Sequence, residues 1–165
     1  MKRILFLFLL VCANLLAEDP FIPAPKAKTM IYVTTGVGPL LITPSVGAGY
    51  RSRHGSFGVD ISLSTSTLYL IVSEIQGTID LTYTPTPSWD NPFYTGLGIA
   101  GGCYLSRWGG VTWSVSPDFV VGKEFTGFFG VKQFVELRAQ VPHWSPSEND
   151  ISLFPATYMS YGIGF

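Results

Sequence analysis

Tyr158-Met159-Ser160-Tyr161-Gly162-Ile163-Gly164-Phe165 are the last residues of the sequence, and their parity decides the fold. Met159, Tyr161, Ile163 and Phe165 fall on one side of an extended chain, and Tyr158, Ser160, Gly162 and Gly164 fall on the other. One face is apolar; the other is small or polar. At the margin of a soluble sheet, an apolar-faced strand invites edge-to-edge aggregation. A sheet closed on itself supplies partners on both sides, and hydrocarbon accepts the apolar face. The segment points to a closed antiparallel transmembrane β-barrel, with Met159, Tyr161, Ile163 and Phe165 toward lipid.

The opposite end supports export. Lys2 and Arg3 precede an apolar run from Ile4 to Val11, and Leu15-Leu16-Ala17 leads into Glu18-Asp19. A basic start, an apolar middle and a small residue at the cleavage point describe a signal peptide over residues 1–17. The apolar run falls short of the about 20 residues that a spanning helix needs. Cys12 lacks a small residue before it, since Val11 stands there, so lipidation is not expected. Residues 18–29, with Pro20, Pro23 and Pro25, read as a periplasmic leader, and the barrel is expected over 30–165.

Composition agrees with that class. Hydrophobic residues make up 47% and charged residues 13%, yet no later segment is long enough for a spanning helix, so the apolar content is dispersed in short alternating pieces. A net charge of -1 without a basic stripe argues against a nucleic-acid partner. With Cys12 removed, Cys103 has no internal disulfide partner.

Alternation marks eight strands. The first starts near Met30 and breaks at Gly36 to Pro39; the second runs from Ser45 to Arg51, and His54-Gly55 turns it into a third beginning at Phe57. A fourth carries Glu74 to Tyr83, and the proline-rich Thr84 to Pro92 is a connection. The fifth covers Phe93 to Tyr104. In the sixth, Val111, Trp113, Val115, Phe119 and Val121 share parity, but Pro117 cannot donate to a ladder, leaving either a bulge or a strand that starts at Asp118. Val131 to Val141 is the seventh, and the terminal segment the eighth. Eight strands of about ten residues match a tilted membrane span; ten strands require a further pairing, for which Leu68 to Val72 is the candidate.

Polar residues separate a membrane barrel from a soluble one. Arg51, Asp60, Glu74, Asp80, Glu136 and Arg138 lie on small-residue faces, opposite Val, Ile and Leu. Inside a small barrel they form a packed polar interior whose charges must be paired. Arg51 and Arg138 are expected to bridge Asp60, Glu74, Asp80 or Glu136. Aromatic residues fall near strand ends: Trp89, Phe93, Phe125, Phe128 and Phe129 at one end, Trp108, Trp113 and Trp144 at the other, as interfacial belts require.

With these residues together, the terminal strand resembles the C-terminal assembly signal of bacterial outer-membrane β-barrels, and the architecture resembles that of the small OmpA-transmembrane and OmpX type. The resemblance implies residence in the cell outer membrane of a Gram-negative envelope. It also implies contact with outer-membrane lipid and lipopolysaccharide, and recognition by the barrel-assembly machinery through Met159, Tyr161, Ile163 and Phe165.

Catalytic residue types meet in one place, His143-Trp144-Ser145 with Glu148 beyond, in the longest outer connection. This His-x-Ser spacing on the penultimate strand resembles the outer-membrane lipid A 3-O-deacylase family. That resemblance implies His143 as base, Ser145 as nucleophile and a later Glu that orients the His. Pro146 and Ser147 replace the family's Asn-containing continuation, and no Glu stands on the final strand. His54 reads as a solvated turn residue, and two distant histidines make no metal site. Gly36-Val37-Gly38 and Gly96-x-Gly98 lack the helix and lysine of nucleotide loops, so no cofactor is expected. Leu68-Tyr69-Leu70-Ile71-Val72 is apolar on both parities, and is either an extension of the fourth strand or a hairpin that meets a surface partner. The functional expectation is an envelope barrel with a structural or adhesion-like role and a plugged interior; the alternative is an acyl hydrolase using His143 and Ser145. A narrow channel needs a continuous water path that a charged interior blocks.

Overall fold

The two ends of the barrel chain meet as neighbouring strands. In the computed structural model, which describes residues 28–38, 43–68, 72–87, 91–106, 110–127, 130–141, 143–145, 150–152 and 156–165, ten strands form one antiparallel sheet. These are β1 (Lys28–Gly38), β2 (Thr43–His54), β3 (Phe57–Leu68), β4 (Val72–Tyr83), β5 (Phe93–Ser106), β6 (Val111–Thr126), β7 (Lys132–Gln140), β8 (His143–Ser145), β9 (Asp150–Ser152) and β10 (Ala156–Gly164). Sequence neighbours from β1 to β7 pair in turn, β10 pairs with β7, and β1 closes the ring on β10 with Tyr32 opposite Gly164 and Val37 opposite Met159. Phe165 extends that seam: its N–H donates to Ile31 O at 2.7 Å, and Ile31 N–H donates to its carbonyl at 3.2 Å. Eight strands thus make a closed barrel; β8 and β9 stand outside the ring.

The faces are inverted relative to a soluble barrel. Ile31, Leu63, Ile79, Leu81, Leu97, Ile99, Val121 and Leu137 point outward, Leu81 with 69% of its surface exposed, whereas Asp60, Asp80, Asp118 and Gln140 are fully buried inside. A single parity along each strand produces this partition, because successive side chains alternate across the sheet. In β10, Met159 and Phe165 are exposed while Tyr158, Gly162 and Gly164 are buried.

Several strands run further than alternation alone indicates. β1 begins at Lys28 rather than Met30 and continues to Gly38, because Gly36 and Gly38 serve as inward positions rather than as a break. β2 reaches His54, and the turn proper is Gly55-Ser56, with Gly55 at φ 60, the left-handed conformation a two-residue hairpin loop demands.

Pro117 neither bulges β6 nor starts it. The β5–β6 register is unbroken from Phe93 opposite Lys123, through Ile99 opposite Pro117, to Leu105 opposite Val111. On its other side β6 meets β7 from Asp118 onward, and upstream of that, among the described residues, Val115 alone pairs, with Trp144 of β8. Pro117 thus lies at a local edge of the sheet, where a missing donor is tolerated. Beyond the eight barrel strands, the extra pairing is β8 with β9 rather than a pair hidden at Leu68 to Val72. There, β3 ends and β4 begins, with Leu68 opposite Val72; residues 69–71 are outside the described ones.

Rings gather outside the end that carries the Gly55 turn and both barrel termini. Phe57 packs on Tyr83 (centroids 5.3 Å apart), Phe125 on Tyr161 (6.4 Å), and Lys123 Nζ sits 4.7 Å over the Phe93 ring. Trp113 and Trp144 are exposed toward the opposite end. Trp89, Trp108, Phe128 and Phe129 lie outside the described residues.

Candidate functional site

The eight inward faces bring polar and charged side chains to one axis. Arg51 of β2 is its hub. Arg51 Nε donates to Asp60 Oδ2 at 2.7 Å, its Nη2 donates to Glu136 Oε1, and its Nη1 faces Glu124 Oε1 at 3.4 Å. Three rings enclose the same guanidinium: its Cζ lies 4.3 Å from the Tyr94 centroid, 4.7 Å from Phe134 and 5.5 Å from Tyr32. The Tyr32 hydroxyl donates to Asp60 Oδ1 at 2.5 Å and the Tyr94 hydroxyl to Glu136 Oε1 at 2.6 Å, so the ring residues also saturate the carboxylates. Phe134 and Tyr32 meet edge to face at 5.0 Å. A planar cation with donors in its plane and π faces above and below suits arginine, not lysine.

A second cluster lies further along the axis. Arg138 Nη1 bridges Asp80 Oδ2 at 2.6 Å and Asp118 Oδ2 at 2.5 Å, and Arg138 Nε reaches Glu136 Oε2 at 3.3 Å, linking the two clusters through one carboxylate. Beyond it lies a layer in which hydroxyl and amide groups surround Glu74. Gln76 and Gln140 exchange amide hydrogen bonds at 3.0 and 3.1 Å, and Glu74 accepts from Ser66 at 3.0 Å, Gln76 at 3.2 Å and Tyr158 at 2.9 Å.

Of the residues singled out from sequence, Arg51, Asp60, Asp80, Glu136 and Arg138 come together in ion pairs. Among the described residues Glu74 pairs with no guanidinium; it sits where hydroxyl and amide donors hold it. Arg53, Asp118 and Glu124 were missed. Arg53 lies past the expected end of the second strand. Asp118 and Glu124 follow from carrying the β6 alternation through Pro117, which puts Ser114, Ser116, Asp118, Val120, Gly122 and Glu124 inward. The enclosing Tyr32, Tyr94 and Phe134 were missed as well, although their inward parity was a signal.

Each ring leans on a glycine directly across the ladder. Tyr32 faces Gly49, Tyr94 faces Gly122 and Phe134 faces Gly162, and a Cβ at any of those glycines would fall on the facing ring. The glycines thus make room for the aromatic floor around Arg51.

His143 and Ser145 belong to β8, which pairs with β9 through His143 opposite Ser152 and Ser145 opposite Asp150, so this segment is a short hairpin rather than an open rim loop. Their side chains and Glu148 lie outside the described ones. Among the described residues, no group of three or more His, Cys, Asp or Glu side chains is placed to hold a metal ion.

The barrel is similar to the crystal structure of Neisserial surface protein A, with a TM-score of 0.63 and 11% identity over 87% of this chain and 98% of that one. It is also similar to the N-terminal β-barrel domain of Pseudomonas aeruginosa OprF, with a TM-score of 0.62 and 12% identity over 87% of this chain and all of that one. At such identities the likeness is one of fold. No protein-family model and no curated protein matches the sequence. The chain has the closed, eight-stranded antiparallel β-barrel fold of small outer-membrane proteins.

Proposed function

We propose that this chain resides in a bacterial outer membrane as a solid-cored barrel with a structural or surface-interaction role. The inverted partition carries the reading: apolar side chains face outward around the ring, while the ion-paired column of Arg51, Glu136 and Arg138 crosses the lumen. In water such an exterior would aggregate; in a bilayer it is the solvated face. The termini share one end with the Gly55-Ser56 turn, and the longer 141–155 connection, with its β8–β9 hairpin, emerges at the other. The longest connection thus lies opposite the termini, as an outer loop does, which supports surface contact at that end through the β8–β9 hairpin or the 68–72 connection.

Membrane fractionation with unboiled gels tests the location: folded protein should sediment with outer membranes and migrate faster before boiling. A soluble periplasmic pool would sink the proposal. Conductance in planar bilayers tests the core, with no discrete channel steps expected.

A second reading, an acyl hydrolase acting on lipid A or phospholipid, is supported by the placing of His143 and Ser145 two residues apart on one strand. Mass spectrometry of lipid A from cells carrying the native chain or Ser145→Ala decides it, since identical acylation removes the hydrolase.

A further inference from the structure

At the turn end the inner wall of the barrel opens into a cup of about 240 Å³ lined by Lys28, Arg51, Arg53, Glu124 and Lys132 among others. Lys28 pairs in register with Arg53 across β1 and β2, and Lys132 begins β7, so three separate strands bring cations to one mouth. Arg51, at the floor, is already committed to Asp60 and Glu136. Arg53 is not. Its side chain is 9% exposed, and its Nη1 faces Glu124 Oε2 at 3.4 Å, a carboxylate whose other oxygen faces Arg51 at the same distance. One carboxylate divided between two guanidinium groups at long range leaves most of the Arg53 donors without an anion among the described residues. Lys132 Nζ stands at the rim, where it donates to Thr126 Oγ1 at 2.7 Å.

We propose that this cup binds an oxyanion of the phosphate class, with Arg53 as the principal donor and Lys28 and Lys132 at its rim. With Arg51 balanced by Asp60 and Glu136, Arg53 and Lys28 still bring more positive charge to the cup than Glu124 offsets, so a cationic or apolar ligand is disfavoured. The guanidinium supplies a planar fork and the two ammonium groups supply point charges from different directions. A phosphate offers enough oxygens to meet all three, whereas a carboxylate is used up by the fork alone. The phosphate can come from solution or from a phospholipid headgroup reaching over the rim, and the chemistry of recognition is the same. This does not depend on which compartment the cup faces.

The test uses the full chain refolded in a maltoside detergent, titrated with inorganic phosphate and followed by phosphorus NMR. Saturable broadening of the phosphate resonance is expected. Arg53→Gln should weaken binding by about tenfold or more, the loss of charge-assisted hydrogen bonds. Lys132→Gln should weaken it too, and serves if Arg53→Gln fails to fold. Lys123→Gln, on the outward face, should leave it unchanged. Phosphatidylglycerol added to the micelles displaces inorganic phosphate if lipid is the source, and leaves it bound if solution is. Broadening that never saturates, or that is unaltered in Arg53→Gln and Lys132→Gln while both still migrate as folded barrels, overturns the proposal.

Discussion

Arg138 holds two buried aspartates with a single nitrogen. Asp80 Oδ1 and Asp118 Oδ1 are buried and find no hydrogen-bond donor among the described residues. The cation is therefore the scarce component, and the carboxylates are in excess. Arg138→Met should destabilise the barrel by about 3–5 kcal/mol, since it strands charges that were paired. Asp118→Asn, which removes one of two like charges and keeps the shape, should be close to neutral or stabilising. Urea-driven unfolding in detergent, followed by loss of heat-modifiable migration, separates the two. The ring-on-glycine contacts make another prediction at this scale. Gly122→Ala puts a methyl group into the Tyr94 ring and should cost about 1–3 kcal/mol in the same assay. Gly77→Ala meets Ser62 O at 3.7 Å, an ordinary contact, and should change stability little.

Among the elements, β6 departs most from what a strand is expected to tolerate. Pro117→Ala should leave the unboiled gel mobility unchanged, because the proline stands where the β7 ladder has not yet begun. Val121→Pro should prevent closure, because Val121 has Thr95 on one side and Leu137 on the other. The same element shows what sequence reveals and what it hides. Parity is local, so β3, β4, β7 and β10 could be read from their own residues, as could the inward placing of Asp60, Asp80, Glu136 and Arg138. Partner choice is not local. Arg51 and Glu136 are 85 residues apart in sequence, and which carboxylate meets which guanidinium depends on the stagger of strands around the ring. Glu74 shares parity with Asp80, yet sits in a layer of hydroxyls and amides that only the closed register defines. Asp118 and Glu124 were hidden by a proline whose tolerance depends on the late arrival of a neighbouring strand.

For the whole molecule, closure rests on the β1–β10 seam, whose last bonds come from the backbone of Phe165 while its ring is 78% exposed. Phe165→Ala should therefore refold in detergent to a heat-modifiable barrel, since both seam bonds survive the change. Any loss of that variant from cell membranes would then belong to assembly rather than to stability, and comparing yields from refolding and from membranes checks this. The charged inner face also bears on how such a chain can enter a bilayer at all. A β3–β4 hairpin entering alone would carry Asp60 and Asp80 into hydrocarbon, with Arg51 and Arg138 still outside. Each exposed charge at mid-membrane costs about 2.5–3.5 kcal/mol on insertion scales. Stepwise entry, one hairpin after another, is therefore steeply uphill. The sheet must curl around its charges as it sinks, so that the inner face never meets lipid.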